Sequence, residues 1–203
     1  MKKVIILGAT GTFGTALTEK LLRETDCKLT LFARHMQNKM QNSERVNAIN
    51  GDATDKAVLQ AALQGQDIVY CAISGEQLPE VAQNLVELLP ACGIQRLLFM
   101  GAVGIYNEIP VDLDDEDNVR NIPEQVPNRK AVDIVEASPL AYTVLRPGYL
   151  QAGEEDDFVL TFKGEQAKGY ISTLASVVNF AVQLITNDNL YVRKSVSITK
   201  NMV

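Results

Sequence analysis

Tryptophan is absent, histidine occurs once and cysteine three times in 203 residues. Cys27, Cys71 and Cys92 contain no CxxC pair, and an odd, sparse set argues against both a disulfide framework and a zinc site. Long apolar runs are also missing. Nothing approaches the roughly 18 residues needed to cross a bilayer, and "VIIL" near the start is too short for a secretion signal. A reduced, cytoplasmic protein is expected, with no bound metal and no membrane association.

Charge of one sign is scarce except in two places. "DLDDED" (112–117) holds five acidic residues and "EEDD" (154–157) four; outside them 16 acidic residues face 19 basic ones. Acidic loops on a nearly neutral body disfavour a nucleic-acid partner. Both stretches read first as solvated loops.

The chain does have 46% hydrophobic residues, enough for one domain with a real core. Their order is strand, helix, strand, repeated. "KVIILG" is a continuous β-branched run of the kind buried on both faces of a sheet. Residues 28–34, 45–51, 67–73, 96–102 and 141–147 supply five further strands. Helical spacing marks Phe13–Leu21, 56–63, 78–91 and 128–137, whereas 34–45 is too short and polar for a firm helix. This alternation predicts an α/β fold, a Rossmann-like doubly wound parallel sheet. Residues 1–150 form its core and 151–203 a small C-terminal elaboration of a single domain. In that last part "DFVLTF" and "GYIST" are expected to pair, followed by a helix over 173–186 and a strand over 191–199.

"LGATGTFG" (7–14) leaves a predicted strand and enters a predicted helix, the context that gives a glycine pattern meaning. Gly8 makes the tight turn, Gly11 admits a pyrophosphate closer than a Cβ would allow, and Gly14 lets helix and strand pack. Thr10, Thr12 and Phe13 complete the loop. The second strand ends "LFARH". An acidic residue there selects NAD, whereas an arginine suits the extra phosphate of NADP. Arg34 stands in that place, so NADP is the expected cofactor, with NADPH preferred over NADH. His35 reads as a surface residue beside a cationic site rather than a catalytic base.

"GATGTFG", "FAR", "NGDATD" (50–55) and "TVLRPGYL" (143–150) together resemble the atypical short-chain dehydrogenase/reductase superfamily. Its NmrA-like, NAD(P)H-binding branch, which also includes biliverdin and flavin reductases, is the most similar. The resemblance covers nearly the whole chain. It implies a sheet of six or seven strands and a substrate-side lobe at the C-terminus. It also implies that Asp52 and Ala53 contact the adenine and that Cys71, Ala72 and Ile73 line the ribose side. Arg146, Pro147, Gly148 and Tyr149 would run beside the nicotinamide.

In that family a tyrosine four residues before a lysine usually exchanges the proton. Here Tyr70, Tyr106, Tyr142, Tyr149, Tyr170 and Tyr191 are followed at that distance by Ser74, Pro110, Arg146, Gly153, Leu174 and Ser195. Lys130 fits the family's lysine position, but Val126 stands where the tyrosine would be. Met100 and Gly101 replace the usual serine. The resemblance therefore implies that Lys130 holds the nicotinamide ribose without assisting a phenol.

Three functional readings remain. The first is an oxidoreductase passing hydride from NADPH to a small acceptor such as a flavin or quinone. The second is a non-catalytic NADP(H) sensor acting through a regulatory protein partner. The third, a structural protein with a vestigial site, fits poorly with an intact glycine loop beside Arg34. Residues 104–127 form a long, polar, acidic connection, expected to be a mobile flap over the nicotinamide end.

Overall fold

The computed structural model describes residues 1–36, 42–113, 115–154 and 157–203. The expectation for 34–45 and the two acidic stretches fall partly outside them. Among the described residues the strands are β1 (Lys3–Leu7), β2 (Lys28–Ala33), β3 (Val46–Asn50), β4 (Ile68–Cys71), β5 (Arg96–Met100), β6 (Ala141–Pro147), β7 (Tyr149–Gln151), β8 (Val159–Phe162), β9 (Ile171–Thr173) and β10 (Lys194–Thr199). The helices are α1 (Thr12–Glu24), α2 (Lys56–Leu63), α3 (Leu78–Ala91), α4 (Val126–Ala137) and α5 (Leu174–Thr186).

Eight strands form one sheet in the order β3-β2-β1-β4-β5-β6-β10-β8. All its pairings are parallel except β10 with β8. The fold is Rossmann-like α/β, as its alternating pattern predicts. Period-2 alternation divides β1 between two cores. Ile5 and Leu7 face the side covered by α2, α3 and α4, while Val4 and Ile6 face the side of α1 and α5. Each is fully buried, a gain of about 1.5–3 kcal/mol per side chain.

The C-terminal quarter departs from expectation. "DFVLTF" and "GYIST" do not pair with each other. β8 joins the main sheet antiparallel to β10, while β9 pairs in parallel with β7 in a separate two-stranded sheet. The physical reason is the edge that β10 would otherwise expose: β8 covers its unpaired N–H and C=O groups. Nor does the last strand begin at 191, because Tyr191 and Arg193 have φ of 50° and 56°. Those angles are incompatible with an extended strand.

Arg146, expected beside the nicotinamide, is fully buried near the end of β6, ion-paired with Glu108, and its Nε donates to Ser195 Oγ at 3.0 Å, so its guanidinium is engaged within the protein. The connection 104–127 is likewise no free flap at its base. Asn118, itself fully buried, accepts from Ile109 N at 3.1 Å and donates to Ile109 O at 2.8 Å. Val119 N donates to Gly104 O at 3.0 Å. Among the described residues the short 3₁₀ turns Val111–Leu113, Asp115–Asp117 and Pro123–Gln125 have no buried residue.

Tyr70 on β4 is fully buried and stacks on Phe13 at 5.3 Å, yet its hydroxyl has no hydrogen-bond partner among the described residues. An unmet buried hydroxyl costs about 1–3 kcal/mol. Tyr70→Phe is therefore expected to raise stability by about 1 kcal/mol. Chemical denaturation measures this, and a loss of stability would mean that the hydroxyl has a partner in solution.

Candidate functional site

The order of strands reverses between β1 and β4, and open α/β sheets bind ligands outside the carboxyl ends of the strands at such a point. A crevice of about 670 Å³ opens there. Gly8, Thr10 and Gly11 line it after β1, Phe32, Ala33, Arg34 and His35 around the end of β2, and Gly51, Asp52 and Ala53 after β3. The residues after β4, Ala72 to Gln77, together with Val81, close the far side.

The three glycines have three different jobs. Gly8 turns at φ +84°, and a Cβ there would lie 2.8 Å from Ala72 O. Its N–H donates to Phe32 O at 2.9 Å, tying the loop to β2. A Cβ on Gly14 would lie 2.4 Å from Gly8 O, so this position permits the close approach of α1 to the loop. Gly11 differs: the nearest atom to an added Cβ is Gly8 O at 3.4 Å, an ordinary contact. Its missing side chain leaves open space on the crevice side.

Gly11 is also the N-cap of α1 and supplies no side-chain cap. The first-turn N–H groups of Thr12, Phe13 and Gly14 have no partner within a helix by its geometry. They carry the positive end of the dipole. Thr12 is exposed, whereas the side chains of Phe13 and the helix face behind it turn into the core. The residues present thus fit a dinucleotide pyrophosphate: a cradle kept free of Cβ atoms, with uncommitted N–H donors at its rim.

Arg34 and His35 are both exposed at the ribose end of the crevice. Asp52 shares this end but is already engaged, its Oδ1 accepting from Thr54 N and Thr54 Oγ1, each at 2.9 Å. Those bonds, with Arg34 adding a smaller effect, hold its carboxyl below the usual range. Asn84 of α3 donates to Ala53 O and Thr54 O at 3.1 Å, fixing the same turn from behind.

The tertiary structure brings together Gly8, Thr10, Gly11, Arg34, Asp52, Ala53, Ala72 and Ile73, with Thr12, Phe13 and Gly14 directly behind the loop. Cys71 lies one residue below the crevice, fully buried, and burial pushes its thiol up to about 12. It has no thiolate character to offer. Lys130, Pro147, Gly148 and Tyr149 do not line the crevice. Lys130 is exposed on the side of α4 away from its buried residues Ala131, Val132 and Val135. Pro147 is buried at the end of β6, while Tyr149 is exposed on β7.

His35 and the turn Ser74–Gln77 belong to the crevice and were not expected there. The turn's one sequence signal is Gly75, whose φ is +104°. At the serine-like position a Cβ on Gly101 would touch the side chains of Val144, Val132 and Arg146 at 3.3–3.4 Å, the tight end of ordinary contact. Among the described residues no tyrosine or lysine lines the crevice. No group of three or more metal-binding side chains is present among them, and no helix is long and apolar enough to cross a membrane.

Fold and crevice define a dinucleotide-binding α/β protein of the Rossmann type. A family model described as NAD(P)H-binding matches residues 8–188. The chain belongs to this NAD(P)H-binding family. A Rossmann-fold NAD(P)-binding family protein from Shigella flexneri is 31% identical, with a TM-score of 0.85 over 100% of this chain and 95% of that one. A short-chain dehydrogenase/reductase from Veillonella parvula DSM 2008, solved in complex with NADP, is 25% identical, with a TM-score of 0.88 over 99% and 95%. The oxidoreductase nsrR of Aspergillus novofumigatus (strain IBT 16806) is 32% identical over 75 residues. That match spans 34% of this chain and only 28% of the relative.

Proposed function

We propose that the protein binds NADP(H) in this crevice, prefers NADPH, and passes hydride to a small electron-poor acceptor such as a flavin or quinone. The pairing of the glycine cradle with Arg34 carries the reading. Asp52 accepts from Thr54 through Oδ1, and the exposed Arg34 guanidinium lines the crevice where a phosphate would meet it. Charge-assisted hydrogen bonds are worth about 1.5–3 kcal/mol each, and one decade of affinity is about 1.4 kcal/mol. NADPH is therefore expected to bind at least about tenfold more tightly than NADH. Calorimetric titration of both measures it, and equal affinities would end the argument from Arg34.

A reduced nicotinamide dinucleotide, when bound, supplies the hydride. The chain's residues would hold it: the loop at the pyrophosphate, Arg34 at the ribose phosphate, and Asp52 with Ala53 at the adenine. They supply no phenol for the acceptor. Tyr106, partly buried in the 104–127 connection, directs its hydroxyl to Glu136 Oε1 at 2.8 Å and lies 2.9 Å from Ser195 Oγ. Ser195 on β10 is level with Val144 in the middle of β6, and neither it nor Tyr106 lines the crevice, so this hydroxyl is engaged within the protein. An acceptor that takes its proton from water needs no such donor.

Simple ketones are expected to give no NADPH consumption, because their reduction needs a positioned acid worth typically 10²–10⁴-fold in rate. Quinones and flavins are expected to give turnover. The absence of tyrosine and lysine from the crevice lining also favours a second reading, a sensor of the NADPH/NADP ratio that signals to a protein partner. Tight NADPH binding without turnover on any acceptor would select it.

A further inference from the structure

We propose that His35 is a second, protonation-dependent ligand for the ribose phosphate, so that the protein's preference for NADPH over NADH strengthens as pH falls. The inference rests on the NADP reading above and deepens it. His35 is the chain's single histidine, and it follows Arg34 directly where the chain leaves β2. Both are exposed and both line the crevice at the same end. The backbone beyond them is anchored: Met36 N donates to Asn50 Oδ1 at 3.1 Å, and the Met36 side chain is buried. The Arg34–His35 pair is thereby held at the mouth of the crevice.

The charged groups sharing the crevice with His35 are Arg34 beside it, Asp52 from the turn after β3, and Glu76 from the turn after β4. Asp52 accepts from Thr54 through Oδ1, and Arg34 is a fixed positive charge. A bound phosphate dianion attracts the side chains of both Arg34 and His35 and accepts hydrogen bonds that a protonated imidazole can give from either nitrogen. An ordinary histidine titrates near 6.5. Phosphate binding raises that value, so NADPH binding takes up a proton in the range just above it. The NADPH affinity must then rise as pH falls towards 6.5. Below about pH 6 the phosphate itself begins to protonate and the gain is lost. NADH lacks the phosphate and has no reason to follow.

The experiment is calorimetric titration of the whole protein with NADPH and with NADH from pH 8.5 to 6.0, in two buffers of different ionisation enthalpy. It is run on the wild type, His35→Gln and Arg34→Leu. In the wild type, NADPH is expected to bind about three- to fivefold more tightly at pH 6.5 than at 8.5, the effect of up to one unit of pKa shift. Buffer-dependent heats should report proton uptake, and NADH should change less than about twofold. His35→Gln should flatten the NADPH profile and remove the uptake while keeping the affinity seen at pH 8.5. A His35→Gln profile as steep as that of the wild type would overturn this proposal and leave the NADP reading intact. Equal affinity for NADPH and NADH at every pH, unchanged by Arg34→Leu, would overturn the NADP reading and this inference with it.

Discussion

Gly11→Val is expected to reduce the affinity for NADPH and NADH alike by at least about 100-fold while leaving the fold nearly as stable as before. The backbone at Gly11 is extended, with φ −74° and ψ 166°, which valine adopts readily. An added Cβ meets nothing closer than Gly8 O at 3.4 Å. The rest of the side chain therefore projects into the space where the pyrophosphate must approach the α1 N-terminus. Gly14→Val is the contrasting case, because its Cβ would lie 2.4 Å from Gly8 O and 2.8 Å from Ala9 Cα. Backbone cannot yield there as a flexible side chain would, so that variant is expected to be destabilised by several kcal/mol, beyond the usual about 1–3 kcal/mol of overpacking. Thermal unfolding and nucleotide titration of both variants separate the two roles. Normal NADPH binding by Gly11→Val would show that the loop is no phosphate cradle.

The second large effect concerns the buried ion pair. Glu108→Leu is expected to destabilise the protein by about 3–5 kcal/mol, because it leaves the Arg146 charge buried without its partner. For a chain of this size that corresponds to a Tm lower by roughly 10 °C. Arg146 is fully buried and Glu108 nearly so. Glu108 also accepts from Tyr106 N at 2.8 Å, so the pair clamps the 104–127 connection to β6. Burial pulls the Arg146 guanidinium down from its ordinary value, and Glu108 works against that pull. The double variant Glu108→Leu/Arg146→Met removes both charges and is expected to recover most of the loss. Hydrogen exchange gives an independent measure: the Ile109 amide, bonded to Asn118, should exchange slowly in the wild type and faster in Glu108→Leu. A single-variant cost below about 1 kcal/mol would show the pair to be solvated.

The sheet, its helices and the phosphate loop were legible in the sequence because each rests on a local signal. The β-branched run of β1, the apolar stripes of the helices and three glycines at strand-to-helix spacing are short-range facts about backbone preference and periodicity. The position of Arg34 at the crevice was legible for the same reason, since it depends only on standing at the end of β2. What tertiary structure decided is long-range. Arg146 lies in a motif-like stretch, "LRPG", yet its partner Glu108 is 38 residues earlier, and no local pattern announces that pair. β8 joins the main sheet because β10 presents an open edge, not because of anything in "DFVLTF" that distinguishes it from a hairpin strand. Lys130 satisfies a spacing rule, but the pitch of α4 turns it away from the helix's buried face. His35 reads as a bystander in sequence and becomes a crevice residue only because β1, β2 and β4 bring three loops to one end of the sheet. Spacing along the chain sets which residues can meet in one element; the choice among partners on different elements is made by packing, which no single segment contains.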